Sequence, residues 1–216
     1  MSTETVLAQR VERLQDALAE IRRACGDDAP QTLSAMLDLA DALWAQGRLI
    51  AARRFEEQVA AARCRMLGDD HPETLKAIGK LAVTMAAQGE LAEARRLQER
   101  IVAGLRASSG DSSRDTLRAI NNLAGTVAAQ GDVALAREML QSVIATLVAE
   151  HGETHPDSLA AMGNLAAILW REGERDEAYE LQRQVAQTYR RIVGEADPAT
   201  RIAAAVLESM GRDSGF

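Results

Sequence analysis

The sequence predicts an all-α chain, a solenoid of antiparallel helix hairpins, and three observations carry that reading. First, one period runs through it: Thr32, Thr74, Thr116, Ser158 and Thr200 follow one another at steps of 42 residues. Second, two glycine series keep the same step, Gly26, Gly68, Gly110, Gly152 and Gly194 in one and Gly47, Gly89, Gly131 and Gly173 in the other, so each unit holds two turns. Third, the composition is 47% hydrophobic but only 3% aromatic. The core must then be filled by Ala, Leu, Val, Ile and Met, which suits closely packed helices better than sheets.

The elements follow in chain order. Residues 1–25 predict an N-terminal cap helix, because Leu7, Val11, Leu14, Leu18 and Ile21 share one apolar stripe with Arg10, Glu12, Arg13 and Asp16 outside it. Such a helix covers the open end of the first unit. Four units occupy the region 26–197, at about 26–67, 68–109, 110–151 and 152–193. In the second unit Leu75, Ile78, Leu81, Ala82 and Met85 lie on one face of a first helix that stops at Gly89, and Leu91, Ala94, Leu97, Ile101 and Leu105 make the stripe of a second helix that stops near Gly110. Ala40, Ala82, Ala124 and Ala166 sit midway along the first helices, and Ala52, Ala94, Ala136 and Ala178 sit early in the second. Side chains this small bring helix axes to the short end of the usual range of about 8–10 Å. Each first helix is entered through a joint, "APQTL", "HPETL", "SRDTL", "HPDSL" or "DPATR". Pro72 and Pro156 fit the start of a helix, and the acids after them favour its positive end. A C-terminal cap helix is expected over 198–210 with Ile202, Val206 and Leu207 as its apolar face, then a disordered tail, "GRDSGF", at 211–216. The whole is expected to behave as one cooperative domain.

Charge and motifs exclude several function classes. A net charge of −7 argues against a nucleic-acid binder or a membrane-surface binder, whose affinity would come from a basic face. No apolar run approaches the roughly 20 residues that span a bilayer, and the N-terminal "MSTETVLAQRVERLQ" is charged where a signal peptide is apolar, so a cytoplasmic chain is expected. Cys25 and Cys64 lack metal-ligand spacing and are read as buried, reduced thiols. His71 and His155 are equivalent joint residues; His151 and His155 are four apart, but Gly152 in a predicted turn separates them, so they do not make the helical HExxH arrangement. "IGKLA" at 78–82 lacks the flanking residues of a phosphate loop, and "GDSS" at 110–113 is no nucleophile elbow. No catalytic residue, metal or cofactor is expected, and the chain is read as not an enzyme.

The small alanines at two fixed places, "NLA" and "QG" in the first helix and "EA" opening the second, resemble the tetratricopeptide repeat. The repeat length, the joint "LGDDHPETL" and "NNLA" at 121–124 resemble the kinesin light chain type in particular, and the resemblance covers about residues 26–209. It implies a right-handed superhelical solenoid, four full repeats plus cap helices at both ends, with the first helices lining a concave groove. It also implies a protein–protein interaction adaptor or scaffold that binds a peptide. Residues 5–25 offer only about three heptads, where a kinesin light chain is expected to carry a long heptad-rich segment, so a free-standing adaptor fits better.

The helical period places the candidate groove residues one position after the recurring leucine and beside it: Asp38, Asp41 and Trp44; Lys76, Gly79, Lys80 and Val83; Arg118, Asn121, Asn122 and Gly125; Gly163, Asn164 and Trp170. Lys76, Lys80 and Arg118 form a basic spot that favours an acidic ligand segment, and the resemblance adds the tryptophan-and-acid segments expected as cargo of kinesin light chains. Asn122 and Asn164 can both donate and accept. Gly79, Gly125 and Gly163 fall mid-helix, where glycine costs about 1 kcal/mol relative to alanine; they either open space for a ligand or let successive first helices pack tightly. Trp44 and Trp170 are aromatic anchors or packing residues. The two-lysine clamp for a terminal carboxylate is not reproduced at Leu37 and Asp41 or at Gly79 and Val83. Two other functions stay open: a self-assembling homo-oligomer, and a regulatory module acting beside a separate enzyme.

Overall fold

The computed structural model describes residues 3–214, with side chains from 5 to 212. Among them are ten α-helices: α1 (Thr3–Cys25), α2 (Pro30–Ala45), α3 (Leu49–Leu67), α4 (Pro72–Ala87), α5 (Leu91–Ser109), α6 (Arg114–Ala129), α7 (Val133–His151), α8 (Pro156–Glu172), α9 (Arg175–Val193) and α10 (Pro198–Ser214). They fall into two compact units, Met1–Ser108 and Ser109–Phe216. In the first, α2 packs on α1 and on α3, and α3 packs on α4. In the second, successive helices pack from α6 to α10, and α6 also meets α8. No described helix is long and apolar enough to cross a membrane.

The predicted alanine crossings close every hairpin. Ala40 and Ala52, Ala82 and Ala94, Ala124 and Ala136, and Ala166 and Ala178 are each 0% exposed. A bulkier side chain at these places would overpack the crossing. In the first unit α5 also comes close to the start of α4: a Cβ on Gly104 would stand 3.2 Å from the Leu75 side chain.

Three of the five joints are tied by a side-chain hydroxyl bond. The Thr32 hydroxyl donates to the Gly26 carbonyl at 2.6 Å, Thr116 to Gly110 at 2.9 Å and Ser158 to Gly152 at 2.9 Å. Each bond ties the first turn of a new helix to the glycine that ended the previous one. That glycine must leave the helix sharply; Gly68 does so at φ 88° and ψ 164°, a conformation essentially closed to other residues. The histidines of "HPETL" and "HPDSL" are helix caps: Nδ1 of His71 accepts from the Glu73 backbone N–H, and Nδ1 of His155 from that of Asp157, both at 3.2 Å. Ser113 caps α6 in the same place by accepting from the Thr116 N–H. Each satisfies one of the donors that a helix start leaves unpaired.

Three expectations are corrected. The apolar face expected for the last helix, Ile202, Val206 and Leu207, is not its buried face: Ile202 is 67% exposed and Val206 37%, whereas Thr200, Ala203 and Met210 are buried. The cause is register, since Thr200, Ala203, Leu207 and Met210 stand one period after Ser158, Ala161, Leu165 and Ile168, the side of α8 turned to the preceding helix. Leu207 and Ala203 join a core with Leu159, Met162, Val185 and Ala186. The expected disordered tail is helical through Ser214, held by buried Met210 and by Gly211 close to the Tyr179 ring; residues 215–216 lie outside the described residues. The thiols are not both buried, because Cys25 ends α1 on its exposed side and Cys64 is only half-buried. Both cysteines are free.

The hydroxyl ties separate two otherwise similar buried threonines, since the Thr74 hydroxyl has no partner. Thr116→Val is expected to lower stability by about 1 kcal/mol and Thr74→Val to leave it unchanged or raise it. Denaturant midpoints measure the difference; equal losses would show that the hydroxyl bond is not what the period preserves.

Candidate partner-binding surface

The helical period puts the candidate residues on one side of the first helices. In the first unit Asp38 and Asp41 are exposed on α2, Trp44 is 45% exposed at its end, Lys76 is exposed on α4, and Gly79, Lys80 and Val83 are half-buried beside it. In the second unit Arg118, Asn122 and Gly125 are exposed on α6 with Asn121 half-buried, and Asn164 is exposed on α8 with Gly163 and Trp170 half-buried.

Two pairs bridge neighbouring first helices. Lys80 Nζ donates to both carboxylate oxygens of Asp41, at 2.5 and 2.8 Å. Asn164 Nδ2 donates to Asn121 Oδ1 at 3.1 Å. The cations are partnered within each unit: in the first Lys76 pairs with Glu73 at 3.2 Å, and in the second Arg118 lies 3.9 Å from Asp157, which Arg114 also binds. Trp170 lies under the Arg175 guanidinium, 3.9 Å from the ring centre, a cation–π contact, while Trp44 keeps its exposed face.

The mid-helix glycines do not serve tight packing. A Cβ on Gly125 would meet nothing within 4 Å, and on Gly79 or Gly163 it would meet only ordinary contacts at 3.8 Å, with Ile101 and Gln182. The histidine rings at 151 and 155 come together, centroids 4.8 Å apart, although they belong to different helices. No group of three His, Cys, Asp or Glu among the described residues could hold a metal ion. An open recess of about 700 Å³ lies elsewhere, along α9, lined by Leu165, Leu181 and polar residues such as Glu177, Arg183 and Gln187. None of the candidate residues lines it.

Sequence reasoning missed two features. Asp157 collects charge at the start of α8: burial pushes its carboxyl up, but the Arg114 hydrogen bond and the charges of Arg114, Arg118 and His155 outweigh this and hold it below the usual carboxylate range. Glu56, on α3, is 2% exposed and lies outside the predicted stripe. The signal for it was in the register, because Glu56, Gln98 and Gln182 occupy one place in their second helices and all three are buried.

A carboxyl depressed on folding contributes stability above its unfolded value, and that contribution is lost as pH falls through the folded one. Asp157→Asn is therefore expected to be less stable than the parent at neutral pH. The gap should close as pH drops below about 3.9. Parallel denaturation curves across this range check it; a gap independent of pH would mean that the charge on Asp157 does not matter.

The tetratricopeptide repeat profile matches residues 32–73 and 74–115, and a second tetratricopeptide repeat profile matches 115–191. A Podosopora anserina chain described as a kinesin light chain of nearly identical TPR-like repeats is 30% identical over 86% of this chain and 88% of that one, with a TM-score of 0.63. BtubC (BKLC) from P. vanneervenii is 16% identical over 97% of this chain and 84% of that one, with a TM-score of 0.70. A Rap protein complexed with Competence and Sporulation Factor is 12% identical over 93% of this chain and 58% of that one, with a TM-score of 0.68. The last two show the fold alone. No curated protein matches the sequence.

Proposed function

We propose that this chain, which belongs to the tetratricopeptide repeat family and resembles the kinesin light chain type, holds an extended segment of a partner protein along the exposed side of its first helices. Tetratricopeptide arrays are protein-interaction scaffolds. The finer reading rests on one observation above all, the Asn121–Asn164 bond: it spends one donor and one acceptor and leaves Asn121 a donor amide and Asn164 an acceptor oxygen on neighbouring helices. That is the pair of groups a peptide backbone needs.

An acidic segment suits the cations of each unit taken by itself, Lys76 and Lys80 in the first and Arg118 in the second. The partners of Lys76 and Lys80, Glu73 and Asp41, lie at the surface, and exposed ion pairs contribute only about 0–1 kcal/mol. A ligand carboxylate can take the place of Asp41 on Lys80 at little cost. Gly125 leaves open space on the same side of α6, and Trp44 offers an aromatic face. The Rap protein complexed with its factor is a precedent at the level of fold.

The test is selection from a display library of short random peptides, followed by affinity measurements on variants that melt like the parent. Selected peptides should be rich in Asp and Glu; those held by the first unit should bind about 10-fold less well to Lys80→Met and those held by the second about 10-fold less well to Asn164→Ala, roughly 1.4 kcal/mol in each case. Gly125→Ala should be more stable than the parent by up to about 1 kcal/mol yet bind less well. Peptides that bind all variants equally would remove this surface from the reading.

Self-association is the second reading, favoured by Ile202 and Val206 exposed on α10 and by Ile192 and Val193 exposed at the end of α9. Light scattering over a concentration series should then show mass rising with concentration, and Ile202→Ser should abolish the rise. A constant monomer mass removes it.

A further inference from the structure

We propose that the Glu56 carboxyl stays protonated inside the first unit across the pH range in which surface glutamates ionise, and that its ionisation loosens the packing of α3 against α2 and α4, a pH-sensitive joint within the repeat array.

The geometry shows a carboxyl with one end unsatisfied. Oε1 accepts from the Thr84 hydroxyl of α4 at 3.0 Å, while Oε2 is buried with no partner. A buried charge lacking a hydrogen bond is unfavourable. A neutral acid instead presents an O–H at Oε2, and the repeat register supplies its acceptor. Three periods later Gln182, 3% exposed, donates its amide to the Ala203 carbonyl of the next first helix at 2.9 Å. Three periods before Ala203 stands Ala77, fully buried on α4, the helix against which α3 packs. A protonated carboxyl has the outline of a glutamine amide, with one donor at the same end.

The surroundings act in both senses. Burial has the largest effect and pushes the Glu56 carboxyl up; the charges of Asp41 on α2 and Glu57 on α3 push the same way. The Thr84 hydrogen bond and the Lys80 charge on α4 oppose it. Lys80, however, is already engaged by both oxygens of Asp41, and Glu57 is paired with Arg53 at 2.7 Å. A carboxyl raised on folding contributes stability that is complete below its unfolded value and is lost as pH rises through the folded one.

Selective carbon-13 labelling of glutamate carboxyls in the full chain, followed by NMR against pH, reads the proton directly, with Glu56→Gln identifying the resonance. The Glu56 signal is expected to keep its protonated shift after the exposed glutamates have ionised, with its midpoint above their usual value of about 4.3. Asp41→Asn should lower that midpoint and Lys80→Met should raise it. In denaturation, the folding constant of Glu56→Gln relative to the parent should grow up to about 10-fold per pH unit and level off at the NMR midpoint. A Glu56 signal that titrates with the surface glutamates overturns the proposal, as does a late-titrating signal with a stability ratio that does not change with pH. Should Glu56→Gln not fold, Glu56→Asp assigns the resonance, and the midpoint in the parent and its response to Asp41→Asn decide the matter alone.

Discussion

The alanine crossing is the constraint on which the rest of this structure depends. At eight places, two per hairpin, the side chain is cut back to a methyl group and no surface of it is left exposed. Close approach of two helix backbones fixes their relative rotation, because ridges of neighbouring side chains have only a few ways to interlock. Once rotation is fixed, the positions along each first helix divide into a side facing its hairpin partner, a side facing the preceding second helix and a side facing neither. The hydroxyl ties at Thr32, Thr116 and Ser158 then help to set where α2, α6 and α8 begin, while α4 and α10 keep the same place with the Thr74 and Thr200 hydroxyls unpartnered. Rotation and start together define the 42-residue period.

From that division the chemistry of the free side follows. Residues there meet residues of the neighbouring first helix, 39 or 43 positions away rather than a full period, and not core residues. Asp41 finds Lys80, and Asn121 finds Asn164. A repeat array thus satisfies its exposed polar groups by lateral pairing across helices, and such pairs are weak enough for a partner protein to exchange. The buried polar places behave differently. Glu56 and Gln182 lie where three helices meet, and a group there must complete its bonds within the protein.

The fold was legible because the constraint writes itself into residue types. Glycines that must leave a helix at positive φ, alanines at crossings and threonines at joints cannot be exchanged freely, so their spacing survives in a single sequence. Trp44 and Lys76 were placed on the exposed side by the helical period alone. What the period could not supply was pairing: whether Lys80 stands alone or answers Asp41 depends on the offset between two helices. The imidazole caps of His71 and His155 were hidden for another reason, since histidine is not among the usual capping residues and only the geometry of Nδ1 reveals the role.

The last helix shows how far register overrides hydrophobicity. Ile202 and Val206 are its most obvious apolar residues, yet they sit one period after Ala160 and Asn164, on the free side, and remain exposed. The side that would receive a hairpin partner carries Arg201, Ala204, Glu208 and Gly211, where α8 has Leu159, Met162, Ala166 and Leu169. A second helix of the usual kind would have to bury Glu208 at the alanine crossing, without the room or the partners a carboxylate needs. α10 therefore closes its side of the second unit by chemistry: it repeats the face that packs on α9 and replaces the face that would extend the array. Its apolar residues Ile202 and Val206 are left where α8 carries Ala160 and Asn164, so at these two places its exposed side is more apolar than that of its neighbour in the same unit.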